Sequence, residues 1–221
     1  MGLAIEVGML ADLKTADEEG YAYYTEQFKL LNELLNENKL VPHSEPDDMS
    51  IFSCDMYGYS GLHYLRRIAA HLLVNGSVPE PCGGRPNDDP AMIECYDEIA
   101  TMQDARSDEW MRFDHLLCHS DAEGYYIPQD FPEVLFDFNE SGLVGVQVGS
   151  SNRLLAECKS LANEIGMPID LNPEDELFFQ ISENQGQGSG WQRYGIESYA
   201  CIRLINAAEH SIKHGAAIVF C

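Results

Sequence analysis

Apolar positions that step by three and four dominate the early part of the chain. Tyr21, Tyr24, Phe28, Leu31 and Leu35 form one stripe, which predicts a helix from about Asp17 to Lys39. Asp17, Glu18 and Glu19 crowd its first turn, where carboxylates complement the positive end of the helix dipole. The run Val41-Pro42-His43-Ser44-Glu45-Pro46-Asp47-Asp48 breaks the pattern into a loop. Leu62, Leu65, Ile68 or Ala69, and Leu72 repeat it and predict a second helix, from Ser60 as N-cap to Val74, ended by Asn75-Gly76. Four prolines and the pair Gly83-Gly84 make the stretch from Pro79 to Pro90 a long loop. A third helix is expected near Ala91–Gln103. Ser150 or Ser151 caps another through Ile165, closed by Gly166, and Pro173-Glu174-Asp175-Glu176 has the proline-plus-acid signature of a helix start. The last helix is placed from about Tyr194 to Lys213.

Strand signals are fewer. Residues 2–7 read as a short strand, and the apolar run 216–221 has the character of a buried one. Residues 113–128 read as a hairpin: Phe113 to Ser120 outward, Asp121-Ala122-Glu123-Gly124 as the turn, Tyr125 to Ile127 returning. Leu143 to Val148 is a further candidate. The expected architecture is one α+β domain over residues 1–221, mainly helical. Its small sheet is formed by the N-terminal strand, the central hairpin and the C-terminal strand.

Charge changes the picture. The 221 residues carry 13 Lys and Arg against 37 Asp and Glu, a net charge of −24. Residues 1–110 hold 21 acids and 7 bases, and residues 111–221 hold 16 and 6, so no acidic tail accounts for the excess. Direct binding of nucleic acid is disfavoured, because phosphates must be neutralised by Lys and Arg. An anionic membrane surface is disfavoured for the same reason, and no run approaches the ~20 apolar residues of a membrane span. A basic protein or a cation remains as a partner, while an acidic proteome or salt-adapted host would give the same total. The 11 Tyr, 9 Phe and 2 Trp argue against disorder. The start, Met1 to Glu6, lacks the basic flank of a secretory signal. Seven scattered cysteines without a C-x-x-C pair fit reduced, mostly buried thiols and a cytoplasmic location.

Candidate chemistry centres on His115-Leu116-Leu117-Cys118-His119-Ser120-Asp121-Ala122-Glu123-Gly124-Tyr125-Tyr126. On a strand the two imidazoles share a face, and with Asp121 and Glu123 they would supply a first shell for zinc or another divalent metal. That would make a metal-dependent hydrolase; no other cofactor is implied. Hydrogen bonding within a tight hairpin explains the same residues. His63 and the adjacent pair Arg66-Arg67 lie on the second helix, where they suit either an anionic ligand or pairing with surplus carboxylates. His210 and His214 sit in the last helical turn, facing its free carbonyls. There is no G-x-S-x-G, Walker loop or G-x-G-x-x-G. From Phe113 to Asn152 there are seven carboxylates and no Lys or Arg, and between Asn87 and Glu109 eight carboxylates against Arg106. Tyr125, Tyr126, Phe131, Phe136 and Phe138 interleave with these acids, a mixture that suits a protein interface.

The string His115-Leu-Leu-Cys-His-Ser-Asp-Ala-Glu-Gly-Tyr-Tyr-Ile-Pro128, with Gly61-Leu-His-Tyr-Leu-Arg-Arg67 and His214-Gly-Ala-Ala-Ile-Val-Phe220, resembles a group of uncharacterised bacterial proteins. The resemblance implies a bacterial, cytosolic origin and carries no catalytic residues over. The leading expectation is an acidic binding protein that engages a basic protein, for instance neutralising a toxin nuclease as an immunity protein would. The alternative is the hydrolase centred on His115 and His119.

Overall fold

The structure, a computed structural model, describes residues 3–101, 110–139 and 141–221. The chain order is β1 (Ala4–Val7), α1 (Met9–Ala16), α2 (Glu18–Glu37), β2 (Phe52–Asp55), α3 (Gly58–Val74), α4 (Pro90–Thr101), α5 (Asp114–Leu117), β3 (Gly124–Ile127), β4 (Leu135–Phe136), β5 (Gln147–Ser150), α6 (Ser151–Ile165), α7 (Glu176–Glu183), α8 (Gly195–His214) and β6 (Ile218–Phe220). The strands form one sheet in the order β2-β1-β6-β3-β5-β4. Every pairing is antiparallel except β3 with β5. The α+β class and the N-terminal, central and C-terminal strands are those expected from the sequence.

The period-two alternation of strands divides the core. Ile5, Val7, Tyr126, Ile218 and Phe220 turn to one face, where α3, α6 and α8 cover them. Tyr125, Ile127, Val148, Ala217 and Val219 turn to the other, against Phe28, Leu31 and Leu35 of α2. The terminal run 216–220 is apolar throughout because β6 lies mid-sheet with helices on both sides. Burying each of the α2 side chains contributes about 1.5–3 kcal/mol.

Several boundaries follow local chemistry. Asp17 caps α2 by accepting the N–H groups of Glu19 and Gly20, each at 3.1 Å. Ser150 accepts the Arg153 N–H at 3.3 Å and starts α6. Gly166 and Gly215 take the left-handed conformation that ends α6 and α8. The third helix matches Ala91–Gln103 up to Thr101; residues 102–109 lie outside the described residues, and so does the side chain of Ser60, whose expected cap position Tyr57 occupies. Helix α1 and strands β2 and β4 were not expected, and Leu143–Val148 gives a strand only from Gln147. No helix among the described residues is long and apolar enough to cross a membrane.

The central hairpin is a correction. Residues 114–117 are a helical turn, and β3 pairs with β6 and β5 rather than with 113–120. The alternation of Phe113, His115, Leu117 and His119 imitates a strand, but long-range groups clamp the turn at both ends. Glu157 of α6 accepts the N–H of His115 at 3.1 Å and of Leu116 at 2.8 Å. Arg66 of α3 donates to the carbonyls of Leu116 at 2.7 Å and His119 at 2.5 Å.

Candidate functional site

Helix α2 has a second periodicity besides its buried stripe. Glu19, Tyr23, Glu26, Glu33 and Glu37 step by three, four or seven and are all exposed, so they form a row along the solvent side of the helix, with Leu30 between them packed on the core. At about 1.5 Å per residue this row spans about 27 Å, with Glu19, Glu26 and Glu33 about 10.5 Å apart. The one cation on α2, Lys29, is paired with Glu26 at 2.7 Å. Tyr23 is 48% exposed.

The row runs into a groove of about 1460 Å³ between the end of α2, helix α4 and the segments 117–121 and 133–139. Carboxylates of Glu37, Asp97, Asp121 and Glu133 lie on its walls. Glu37 accepts a hydrogen bond from Asn139 Nδ2 at 3.3 Å, which joins α2 to the loop after β4. Asp137 shapes that loop. Its buried carboxylate accepts the N–H groups of Asn139 at 3.2 Å and Ser141 at 2.9 Å, leaving Phe138 turned outward at 80% exposure. Phe138 stacks on Phe136 with ring centroids 5.7 Å apart, and Ile93 on α4 is also half exposed.

Most cations are committed elsewhere. Lys14 pairs with Asp47, Arg112 with Glu164, Arg153 with Asp130, Lys159 with Glu209 and Arg193 with Glu80. Among the described residues, no Lys or Arg stands within ion-pair distance of Glu19, Glu33, Glu37, Asp97, Glu123 or Glu133, all of them exposed.

The residues singled out in the sequence divide into two sets. His63, Arg66, His119 and Asp121 come together along the groove. His63 Nε2 lies 2.7 Å from Asp121 Oδ2; burial and the nearby Arg66 charge lower its pKa against the pull of that carboxylate. The other set is dispersed. His115 is buried with Nδ1 accepting the Ser150 N–H at 2.9 Å and Nε2 facing the Pro132 carbonyl at 3.3 Å. Arg67 ties Asp89 at 2.5 Å, with His71 on the other oxygen at 3.0 Å, anchoring the loop before α4. Glu123 is exposed, and Tyr125 packs its ring on Phe28 at 5.7 Å in the core.

His119 is buried between the carbonyls of Ser120 at 3.1 Å and Tyr125 at 3.0 Å and stacks on Tyr126 at 4.0 Å. Burial lowers both His115 and His119 to about 4. With each of these ring nitrogens already facing a backbone group, the geometry lends no support to a shared metal shell. Among the described residues no group of three or more His, Cys, Asp and Glu is placed to hold one. Arg66 is engaged by the carbonyls of Leu116, His119 and Ser120, and Arg67 by Asp89 and the Glu80 carbonyl.

One expectation about the acidic face needs correction, and part of another lies outside the described residues. Tyr125, Tyr126 and Phe131 belong to the core, because they face the two helical layers or the chain beneath the groove; Phe136 and Phe138 alone of that group line it. Asp104, Arg106, Asp108, Glu109 and Glu140 lie outside the described residues. The row on α2 was missed, although its three-and-four spacing is visible in the sequence once the polar side of the helix is read as closely as the apolar side.

One family matches the chain, over residues 1–220, and its description reads "Putative DNA-mimic protein". No curated protein and no solved structure matches.

Proposed function

The chain belongs to this DNA-mimic family, and on that footing we propose that it binds a basic protein by offering carboxylates where duplex DNA would offer phosphates. The 24 net negative charges over 10467 Å² of accessible surface come to one per about 440 Å². A duplex of about 10 Å radius with a charge every ~1.7 Å carries one per about 100 Å². An evenly spread charge would therefore imitate DNA poorly, and mimicry needs a face richer than the average.

The observation that carries the reading is the row Glu19–Glu26–Glu33–Glu37 continuing into the groove with Asp97 and Glu133. Its spacing of about 10.5 Å corresponds to about every third phosphate of one strand. Fixed on a helix, these charges keep their register, which a disordered acidic tail does not. In the finer version the partner is a toxin nuclease whose positive cleft this face occludes.

The test is capture of basic proteins at about 50 mM salt, followed by elution with duplex DNA. Partners released by DNA, and affinities that fall steeply with salt, are expected. Capture that DNA leaves undisturbed, or that ignores ionic strength, overturns the reading. The nuclease version requires stoichiometric loss of cleavage when the protein is added.

A further inference from the structure

The exposed Phe138 ring at the groove, stacked on the half-buried Phe136, is not explained by charge imitation. Phe138 is 80% exposed and stacked on Phe136, within a groove whose walls carry Glu37, Asp97, Asp121 and Glu133. A phosphate backbone offers no such ring, and a surface selected for charge alone has no reason to hold a phenyl group in water. The loop holds it there by construction. Asp137 spends its buried carboxylate on the backbone at 139 and 141 and on the Ser141 hydroxyl at 2.7 Å, and Asn139 is bonded to Glu37.

Resting on the DNA-mimic reading, we propose that the groove is the docking point for an arginine-bearing segment of the basic partner, with Phe138 as the stacking platform. Charge complementarity selects a cation: the carboxylates of Glu37, Asp97 and Glu133 line the groove without a Lys or Arg partner among the described residues, while its cationic side chains are spoken for, Arg66 by backbone carbonyls and His63 by Asp121. The ring selects which cation. A guanidinium is planar and weakly hydrated, so it lies on a phenyl face while its N–H fork reaches carboxylates at the edge. An ammonium meets the carboxylates equally well but gains less from the ring. The groove thus adds to a generic acidic face a preference for arginine over lysine.

Titration calorimetry at about 50 mM salt with oligoarginine and oligolysine of equal length, about ten residues each, tests this. The wild-type protein is expected to bind oligoarginine about three- to fivefold more tightly than oligolysine, the range of one exposed cation–π contact. Phe138→Ala, at a position where truncation leaves the core untouched, should bring the oligoarginine affinity down to that of oligolysine and lower the latter much less. Asp97→Asn with Glu133→Gln should weaken both peptides together. Equal affinities in the wild type, or a preference that survives Phe138→Ala, overturn the docking inference and leave the acidic-face reading standing. Failure of both peptides to bind at this salt overturns both.

Discussion

Tyr126 occupies the space where a side chain on Gly149 would be: a Cβ built there would collide with Cδ1 and Cε1 of the Tyr126 ring. The two residues are register partners in the parallel pairing of β3 and β5. Tyr126 is fully packed and donates its hydroxyl to the His115 carbonyl at 2.7 Å, so the ring cannot swing aside without breaking that bond. Gly149→Ala is expected to destabilise the fold by about 2–3 kcal/mol or more, the overpacking range, in a denaturant titration. A loss below about 0.5 kcal/mol would show that β3 and β5 separate more easily than this contact implies.

Glu197 gives the alkaline side of the stability profile. It is completely buried on α8, with Gln185 donating to one oxygen at 2.7 Å. Burial pushes its pKa up to about 7. The carboxyl is neutral in both states below about pH 4.5; above that the unfolded chain ionises first, so a penalty on the native state builds up to about pH 7 and stays in full above it. Glu197→Gln should therefore leave stability nearly unchanged near pH 4.5 and raise it by about 3 to 4 kcal/mol at pH 8, since each pH unit separating the folded and unfolded ionisations is worth ~1.4 kcal/mol. Melting curves of both proteins at the two pH values check this. Glu6 on β1, raised to about 7 by burial and the neighbouring Asp12, acts in the same direction.

The buried imidazoles act on the acid side. An unfolded chain takes up protons at His115 and His119 near the ordinary value of 6.5, whereas the folded one resists until about 4. Their contribution is present above pH 6.5 and is lost as pH falls through about 4. Imidazole resonances from these two rings are expected to stay in the neutral form at pH 6. A ring of His119 that proves doubly protonated at pH 6 would mean that its two carbonyl neighbours outweigh desolvation.

The acidic row makes a kinetic prediction. Replacing Glu19, Glu33 and Glu37 by Gln removes three exposed carboxylates without touching the core. With a basic DNA-binding protein as partner, association measured by stopped flow should slow by about tenfold at low salt, and the slope of log affinity against log salt should flatten. The same number of changes at Asp170, Asp175 and Glu183, which share the surface but not the row, should have a smaller effect. Equal effects from the two sets would mean that net charge, and not its arrangement, drives binding.

The elements most legible in the sequence are those whose signal is local. Helix α6 is bounded by its own capping serine and closing glycine, and the stripes of α2 and α3 needed only the helical period. The groove was half legible. Its acids and Phe138 belong to segments that looked acidic and aromatic together, but Glu37 comes from about a hundred residues away and no local pattern ties it to Asn139. The histidine pair is a different case: local spacing put the two rings in one cluster of ligand types, and the structure sets each ring against separate backbone groups.

The amino-acid order by itself determined the helical stripes, the burial of the last strand on both faces and the large negative charge, because each is set by neighbouring side chains or by simple addition. Only the tertiary structure decided that Asp114–Leu117 is a helical turn and which carboxylates share a groove. The reason is the same in both cases. Glu157 and Arg66 reach that turn from other elements, and the acids on α2, α4 and the loop after β4 become neighbours only through packing, so the forces that place them act between residues the sequence keeps apart.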